Sequence, residues 1–367
     1  SRGGIGAGSG VGDNVMTEEM ESAFLSELAA ASRQRPVHPA VRLGIGDDAA
    51  VLRTLRGESV VTVDMLMDGT DFHADQLSPQ RIGRKSLAVN LSDLAAMAAR
   101  PIAAFVAVAL PKSGIPYHRE RHTPIPVAQL AREIMAGMES LAKPFHVAIA
   151  GGDTNTWNAP LAISVTLIGE STSRGVWRRD GGRPGDVLFV TGAFGGSILS
   201  HHHGFTPRVK TALWLNERYQ IHAAIDVSDG LSLDLSRMAV ASGVGVELDA
   251  TKIPIAPDAY RLAETDGRTP LDHALCDGED FELVLAVPPD EAERIPVEVP
   301  RDHEISDQGE IGRKSENQEV GSRTEVAGSV GPGVPLTAIG RMVPYPGLWI
   351  RDGDVPPRPL VPGGWLH

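Results

Sequence analysis

The sequence predicts a two-domain α/β protein, and three observations carry that expectation. At 367 residues the chain is too long for one small core. Apolar, β-branched runs of strand length alternate with stretches of helical spacing along it. An Arg-, Gly- and Pro-bearing segment at 174–184 separates two such series. The expected domains are residues 15–173 and 174–367, after a flexible Gly- and Ser-rich tail at 1–14.

In the first series, residues 15–32 have amphipathic helical spacing, with Thr17 as a cap. Asp47 and Asp48 follow a glycine pair and run into a short strand at 49–52. A β-branched strand spans 59–66 and carries Asp64 near its end. Ser78-Pro79 opens a helix, since proline at the first helical position costs no hydrogen bond. The helix continues past Lys85 to an alanine-rich end that fits close packing, and Pro101 closes it. Asp93 stands eight residues after Lys85, near the same helix face, and pairing with that lysine is its structural alternative. A buried strand follows at 102–110, then a Pro-, His- and Arg-rich loop at 111–126 and a helix at 127–141. The strand at 147–150 delivers Gly151-Gly152-Asp153-Thr154, and a strand at 161–168 ends this half.

The second series opens with a strand at 186–192. A strand at 221–225 leads to Asp226-Val227-Ser228-Asp229-Gly230, and the next helix ends before Gly243, a good C-terminal cap. Strands are expected at 244–248, 281–287 and 336–342. Residues 300–334 are polar, rich in Gly and Glu and without periodicity, which reads as a disordered insertion.

Composition narrows the function. The net charge of −13, from 34 basic and 47 acidic residues, opposes nucleic acid as partner. No apolar run approaches the ~18 residues of a membrane span. The tail lacks a secretory pattern, and the single cysteine, Cys276, excludes an intrachain disulfide and a cysteine metal cluster. A cytoplasmic setting is the expectation. There is no Gly-x-x-x-x-Gly-Lys-Ser/Thr loop, because Gly83-Arg84-Lys85-Ser86 and Gly312-Arg313-Lys314-Ser315 have the wrong spacing. His201-His202-His203 reads as exposed loop, and nothing places a base beside Cys276.

What recurs is a carboxylate at an element's edge, beside glycine in every case but Asp64: Asp47/Asp48, Asp64, Asp153, Asp226/Asp229 and Glu279/Asp280, with Asp93 on a helix. Each acid alone reads first as a solvated or structural group, and the recurrence is better evidence than any one member. Together they form an oxygen-only set, which suits Mg²⁺ held by carboxylates and substrate phosphates. Glycine lets backbone approach phosphate closely, and Ser228 or Thr154 supply hydroxyls. Repeated carboxylate–magnesium sites favour phosphoryl transfer, where positioning and charge neutralisation do most of the work.

The motifs Gly44-Ile45-Gly46-Asp47-Asp48-Ala49-Ala50, Val63-Asp64, Ala88-Val89-Asn90-Leu91-Ser92-Asp93-Leu94-Ala95-Ala96-Met97, Gly151-Gly152-Asp153-Thr154, Arg183-Pro184-Gly185-Asp186, Asp226-Val227-Ser228-Asp229-Gly230-Leu231 and Gly278-Glu279-Asp280-Phe281-Glu282-Leu283 resemble, in order, those of the thiamine-monophosphate kinase family. The resemblance implies a two-domain α/β fold like that of aminoimidazole ribonucleotide synthetase, with N-terminal domains pairing their sheets into a barrel across a homodimer. It implies in-line transfer from ATP to thiamine monophosphate, giving thiamine diphosphate without a phosphoenzyme. By matching position, Asp48, Thr62, Val63 (through its carbonyl), Asp64, Asp93, Asp153, Asp226 and Asp229 would hold Mg²⁺, with Asp48, Asp64, Asp93 and Asp226 catalytic. Gly152, Asp153, Arg179 and Ser228 would contact ATP, while Asp71, Glu279 and Trp365 would meet the thiamine substrate. The family's usual histidine is replaced by Asp71, which leaves Asp71 and His73 as alternatives for that contact. Other superfamily synthetases and a non-catalytic thiamine-phosphate-binding paralogue are the competing readings. A selenophosphate synthetase would carry a reactive Cys near the N-terminus, and there is none.

Overall fold

The computed structural model describes residues 39–43, 51–52, 57–299 and 333–364. The expected helix at 15–32, the pair Asp47 and Asp48, nearly all of the 300–334 insertion and Trp365 lie outside the described residues.

Two short strands, β1 (Val41–Leu43) and β2 (Val51–Leu52), pair with each other. The first main sheet has four strands in the order β3 (Ser59–Met67), β8 (Ala162–Glu170), β4 (Arg100–Pro111) and β7 (Ala148–Trp157). Among the described residues only β4 and β7 of this sheet run parallel, and the sheet does not close on itself. Its helices are α1 (Pro79–Ala96) and α2 (Val127–Ala142). Successive strand residues point to opposite faces, so Thr62, Asp64 and Leu66 turn toward α1. Val61, Val63, Met65 and Met67 turn the other way and stay 44–61% exposed.

Helix α1 starts as the Ser78-Pro79 signal predicts, with Ser78 in extended backbone and Pro79 at its first position. It stops at Ala96, before Pro101, because Ala98 adopts a left-handed φ of 48° and turns the chain into β4. Its buried Ala88, Ala95 and Ala96 bring the helix onto the sheet. The tightest approach, however, is to α2. A Cβ on Gly83 would fall 1.9 Å from the Ile134 carbonyl oxygen, and one on Gly137 1.9 Å from that of Gln80.

Three local readings change. Asp64 sits inside β3 rather than at its mouth, with its carboxylate on the helix side. Gly151–Thr154 does not form a turn: β7 continues to Trp157 because residues 151–157 pair with β4. Residues 111–126 hold a hairpin of β5 (Ile115–His118) and β6 (Thr123–Ile125).

The second sheet runs β10 (Ala223–Asp226), β12 (Leu283–Val287), β9 (Val187–Thr191), β14 (Val334–Val343), β11 (Gly245–Asp249), β15 (Gly347–Arg351) and β16 (Arg358–Pro359), with β13 (Glu298–Val299) on β14. Helix α3 (Val209–Arg218) packs against α1, and α4 (Leu231–Ser242) ends on Gly243 in the left-handed conformation expected of it. Helices α5 (Pro257–Asp266), α6 (Pro270–Cys276) and the one-turn α7 (Pro289–Ala292) complete the described elements. No helix among the described residues is long and apolar enough to cross a membrane.

Candidate active site

Helix α1 runs along the junction between the two sheets, and two consecutive residues near its end face different domains. Neighbours on a helix lie about 100° apart, so one residue can serve each side. Ser92 reaches the second domain, where its Oγ donates to Asp226 Oδ2 at 2.6 Å. Asp93 turns to the first sheet, where Thr62 Oγ1 donates to its Oδ2. Asp64, on the same face of β3 as Thr62, lies close enough to Asp93 for each carboxyl to act on the other.

Three carboxylates from three elements therefore converge: Asp64 from β3, Asp93 from α1 and Asp226 from the end of β10. Burial pushes Asp64 up to about 6, and the charges of Asp226 and Asp71 add to the rise. Burial and the Asp64 charge lift Asp93 to about 6, against the Thr62 hydrogen bond and the positive charge of Arg179. Asp226 goes to about 7, from burial first and Asp93 second. Uncompensated acids in a low-dielectric junction hold protons that they would shed beside a cation.

The loop after β10 is braced separately. Asp234, in the first turn of α4, accepts from the amides of Asp229 at 2.9 Å and Gly230 at 3.1 Å. Arg237 donates to Asp229 and, at 2.7 Å, to Asp234. Asp229 is thus already engaged by a cation. Ser228 lies half-buried, and its carbonyl accepts from the Glu279 amide at 2.6 Å.

The pairing of Asp93 with Lys85 does not form. Lys85 is fully buried and bridges instead to Glu279 Oε1 at 2.6 Å, while donating to the Asp71 carbonyl at 2.7 Å. Asp71 also accepts from the Met67 amide through Oδ2 at 2.7 Å, whereas His73 is exposed. Asp71 therefore belongs to the ordered cluster and His73 does not. Asp280 and Glu282 are structural: Asp280 accepts from the Gly195 amide, and Glu282 pairs with Arg208 at 2.5 Å.

Not every expected site residue joins the junction. Strand register puts Asp153 in the cross-strand row of Met65, Ser164 and Ala107, on the sheet face away from α1. Gly152 neighbours it with φ 151°. Val63 lies on that same face of β3, an edge strand among the described residues, where half the carbonyls point away from β8. Arg179 is exposed, close enough for its charge to act on Asp93. The histidine run is not the exposed loop expected. His202 is buried, its Nδ1 lies 2.7 Å from the Ser197 carbonyl, and burial holds it down at about 3.

A family model for AIR synthase related proteins matches the chain twice, through its N-terminal domain over residues 46–171 and its C-terminal domain over 183–323. The thiamine-monophosphate kinase of Rhodopirellula baltica is 39% identical over 356 residues, spanning 95% of this chain and 97% of that protein. The chain belongs to the thiamine-monophosphate kinase family. A crystal structure of a thiamine-monophosphate kinase from Stenotrophomonas maltophilia K279a superposes with a TM-score of 0.66 at 29% identity, covering 91% of this chain and 97% of that one. A structure of AaThiL complexed with AMPPCP and TMP shares the fold at a TM-score of 0.61 and 23% identity, over 94% and 96% of the two chains. Within the kinase family, residue types alone did not disclose which acid meets which. Ser92, Lys85, Asp234 and Arg237 are the members of the site that spacing missed.

Proposed function

We propose that this protein transfers the γ-phosphoryl group of ATP to the phosphate of thiamine monophosphate, giving ADP and thiamine diphosphate. The observation that carries the reading is the convergence of Asp64, Asp93 and Asp226 at the domain junction. Support also comes from α1, which sets Lys85 and its partners Asp71 and Glu279 eight residues from Asp93, about 12 Å along the helix axis. That span suits a phosphorylated two-ring substrate, with its phosphate at the acids and its rings at the far end.

The donor set fits Mg²⁺. Among the described residues no three His, Cys, Asp or Glu side chains already surround one point. Mg²⁺ does not need such a cage, since it binds through one or two carboxylates and completes its shell with water and phosphate. Asp48, Thr62, the Val63 carbonyl, Asp64, Asp93, Asp153, Asp226 and Asp229 would between them hold several such ions, one or two carboxylates to each. Bound there, they would neutralise the charge that sets two phosphate groups against each other. The acceptor phosphate is already anionic near neutral pH, so Asp64, Asp93 and Asp226 have no proton to abstract and act by orientation. Arg179, with Gly152, Asp153 and Ser228, would take the ATP phosphates, where a guanidinium fork matches their oxygens. Asp71, Glu279 and Trp365 would take the thiamine moiety, Trp365 offering a face to its cationic ring.

Protonation gives the metal reading a pH signature. The three acids have folded-state values of about 6, 6 and 7 against 3.8 ordinarily. The folded protein thus binds more protons than the unfolded chain between pH ~4 and ~7, and without metal its stability falls as pH rises through that window. Mg²⁺ replaces those protons, so its stabilising effect grows over the same interval. A thermal shift at 5 mM Mg²⁺ is expected to be several times larger at pH 8 than at pH 5. Equal shifts at both would contradict it.

The homodimer is part of the proposal. Val61, Val63, Met65 and Met67 form an apolar stripe on the outer face of an edge strand, a surface that favours pairing with another sheet. Barrel closure across that interface would turn Asp153 toward the space between the sheets. Met65→Glu is expected to convert a dimer to a monomer in light scattering; a monomeric wild type would overturn this. The domain boundaries at 15–173 and 174–367, and a cytoplasmic setting, belong to the same reading. The test of function is product identity. With ATP, Mg²⁺ and a panel of phosphorylated acceptors, thiamine monophosphate alone should yield its diphosphate, and turnover of an aminoimidazole precursor instead would refute it.

A further inference from the structure

We propose that Lys85 is a positioning residue for the acceptor substrate, holding both thiamine-recognition segments in register with the acids that meet its phosphate. The proposal rests on the kinase reading above.

Lys85 is fully buried in the middle of α1. A buried ammonium carries a large desolvation cost and needs acceptors for its three protons. A residue serving only to join two domains would do so at lower cost as a hydrophobic side chain. The acceptors it has are specific. One is the carbonyl of Asp71 at 2.7 Å, in the loop after β3, and the other is Glu279 Oε1 at 2.6 Å, from the second domain. These are the two described residues proposed to meet the thiamine moiety. No assignment derived from the acidic motifs includes the lysine that connects them.

Glu279 is also held from its backbone. Its φ is 64°, a left-handed conformation that a non-glycine residue adopts at a cost, and its amide donates to the Ser228 carbonyl at 2.6 Å. Phe281, two residues on, is left-handed as well, with φ 52°. Ser228 thus sets where the Glu279 backbone lies, and Lys85 sets where its carboxylate points. Since Ser92 and Asp93 follow on the same helix, α1 acts as a rigid ruler between the ring contacts and the phosphate site.

A positioning role separates the two substrates kinetically, and a packing role does not. Lys85→Met keeps the length and apolar stem but removes the charge and the donors. It is expected to raise KM for thiamine monophosphate at least tenfold while KM for ATP stays within twofold. Glu279→Gln should show the same split, and the double variant should lose less than the product of the two single losses, because the Lys85–Glu279 bond is counted in both. Lys85→Arg, which retains a cationic donor, should recover KM for thiamine monophosphate to within threefold of wild type. Should Lys85→Met not fold, as judged by thermal unfolding, Lys85→Gln replaces it with the same expected split. KM rising equally for both substrates, additive losses in the double variant, or an unchanged KM for thiamine monophosphate would each overturn the proposal while leaving the kinase reading intact. A wild type that does not turn over thiamine monophosphate would overturn both.

Discussion

An Asp93→Asn variant is expected to lose about 10³-fold in turnover, ~4 kcal/mol of transition-state stabilisation, while unfolding at a higher temperature than wild type in the absence of magnesium. The two effects have one cause. Asparagine keeps the shape of the side chain and an oxygen to accept the Thr62 hydroxyl. It removes the charge that burial and the neighbouring Asp64 make costly. Without metal the wild-type cluster repels itself above pH 7, so neutralising one member relieves the fold. With metal and nucleotide bound, the missing charge would be one that holds the cation, and it is the cation that would neutralise the phosphoryl group. Each kcal/mol relieved should raise the unfolding temperature by roughly 2–4 °C. A variant that retains more than a tenth of wild-type turnover, or that unfolds at a lower temperature in chelator, would mark Asp93 as a structural acid. Asp48→Asn is expected to lose turnover by a similar factor, by the family resemblance alone.

The second large effect lies in the scaffold. Gly83→Ala should destabilise the protein by about 3 kcal/mol, toward the upper end for overpacking, because the new methyl meets backbone rather than a side chain that can turn away. Its Cβ would sit 1.9 Å from the Ile134 oxygen and 2.7 Å from the carbonyl carbon. If α1 lifts to make room, it carries Lys85, Ser92 and Asp93 away from their partners. Loss of stability and of activity should therefore appear together, with the unfolding temperature down by roughly 6–12 °C. Gly175→Ala is the comparison. Gly175 has φ 83° and no atom within 4 Å of an added Cβ, so it reports backbone strain alone and should cost ~1 kcal/mol. Equal losses at the two positions would mean that close approach of the helices does not matter.

Much of the fold was legible because local signals agreed with the tertiary context. Ser78-Pro79 starts α1, Gly243 ends α4, and the β-branched run at 59–66 forms β3. The misreadings share a cause. Gly151-Gly152-Asp153 has turn composition, but pairing with β4 outweighs it and keeps the segment in a strand. The hairpin at 115–125 is hidden by prolines and charges, because its pairing is set by its partner strand rather than by alternation. Asp64 is expected near the end of its strand, and what the sequence does not show is the side chain it meets there, Asp93, which comes from α1.

For the site, sequence motifs were enough to nominate Thr62, Asp64, Asp93 and Asp226. They could not reveal the bond from Ser92 to Asp226, which joins residues 134 apart. Nor could they place Lys85, whose nearest acid by helical spacing is Asp93 but whose partner in space is Glu279. Asp153 shows the converse: its residue type fits the metal set, and the sheet register turns it to the other face.

The most direct test of the central claim is a single turnover with enzyme in excess over γ-labelled ATP, in the presence of Mg²⁺ and thiamine monophosphate. Transfer at the Asp64–Asp93–Asp226 junction predicts that the label passes straight to the terminal phosphate of thiamine diphosphate, at the rate at which ATP disappears and with no labelled protein at any time. Label that appears first on the protein, or that is released as inorganic phosphate while thiamine monophosphate is unchanged, would contradict it.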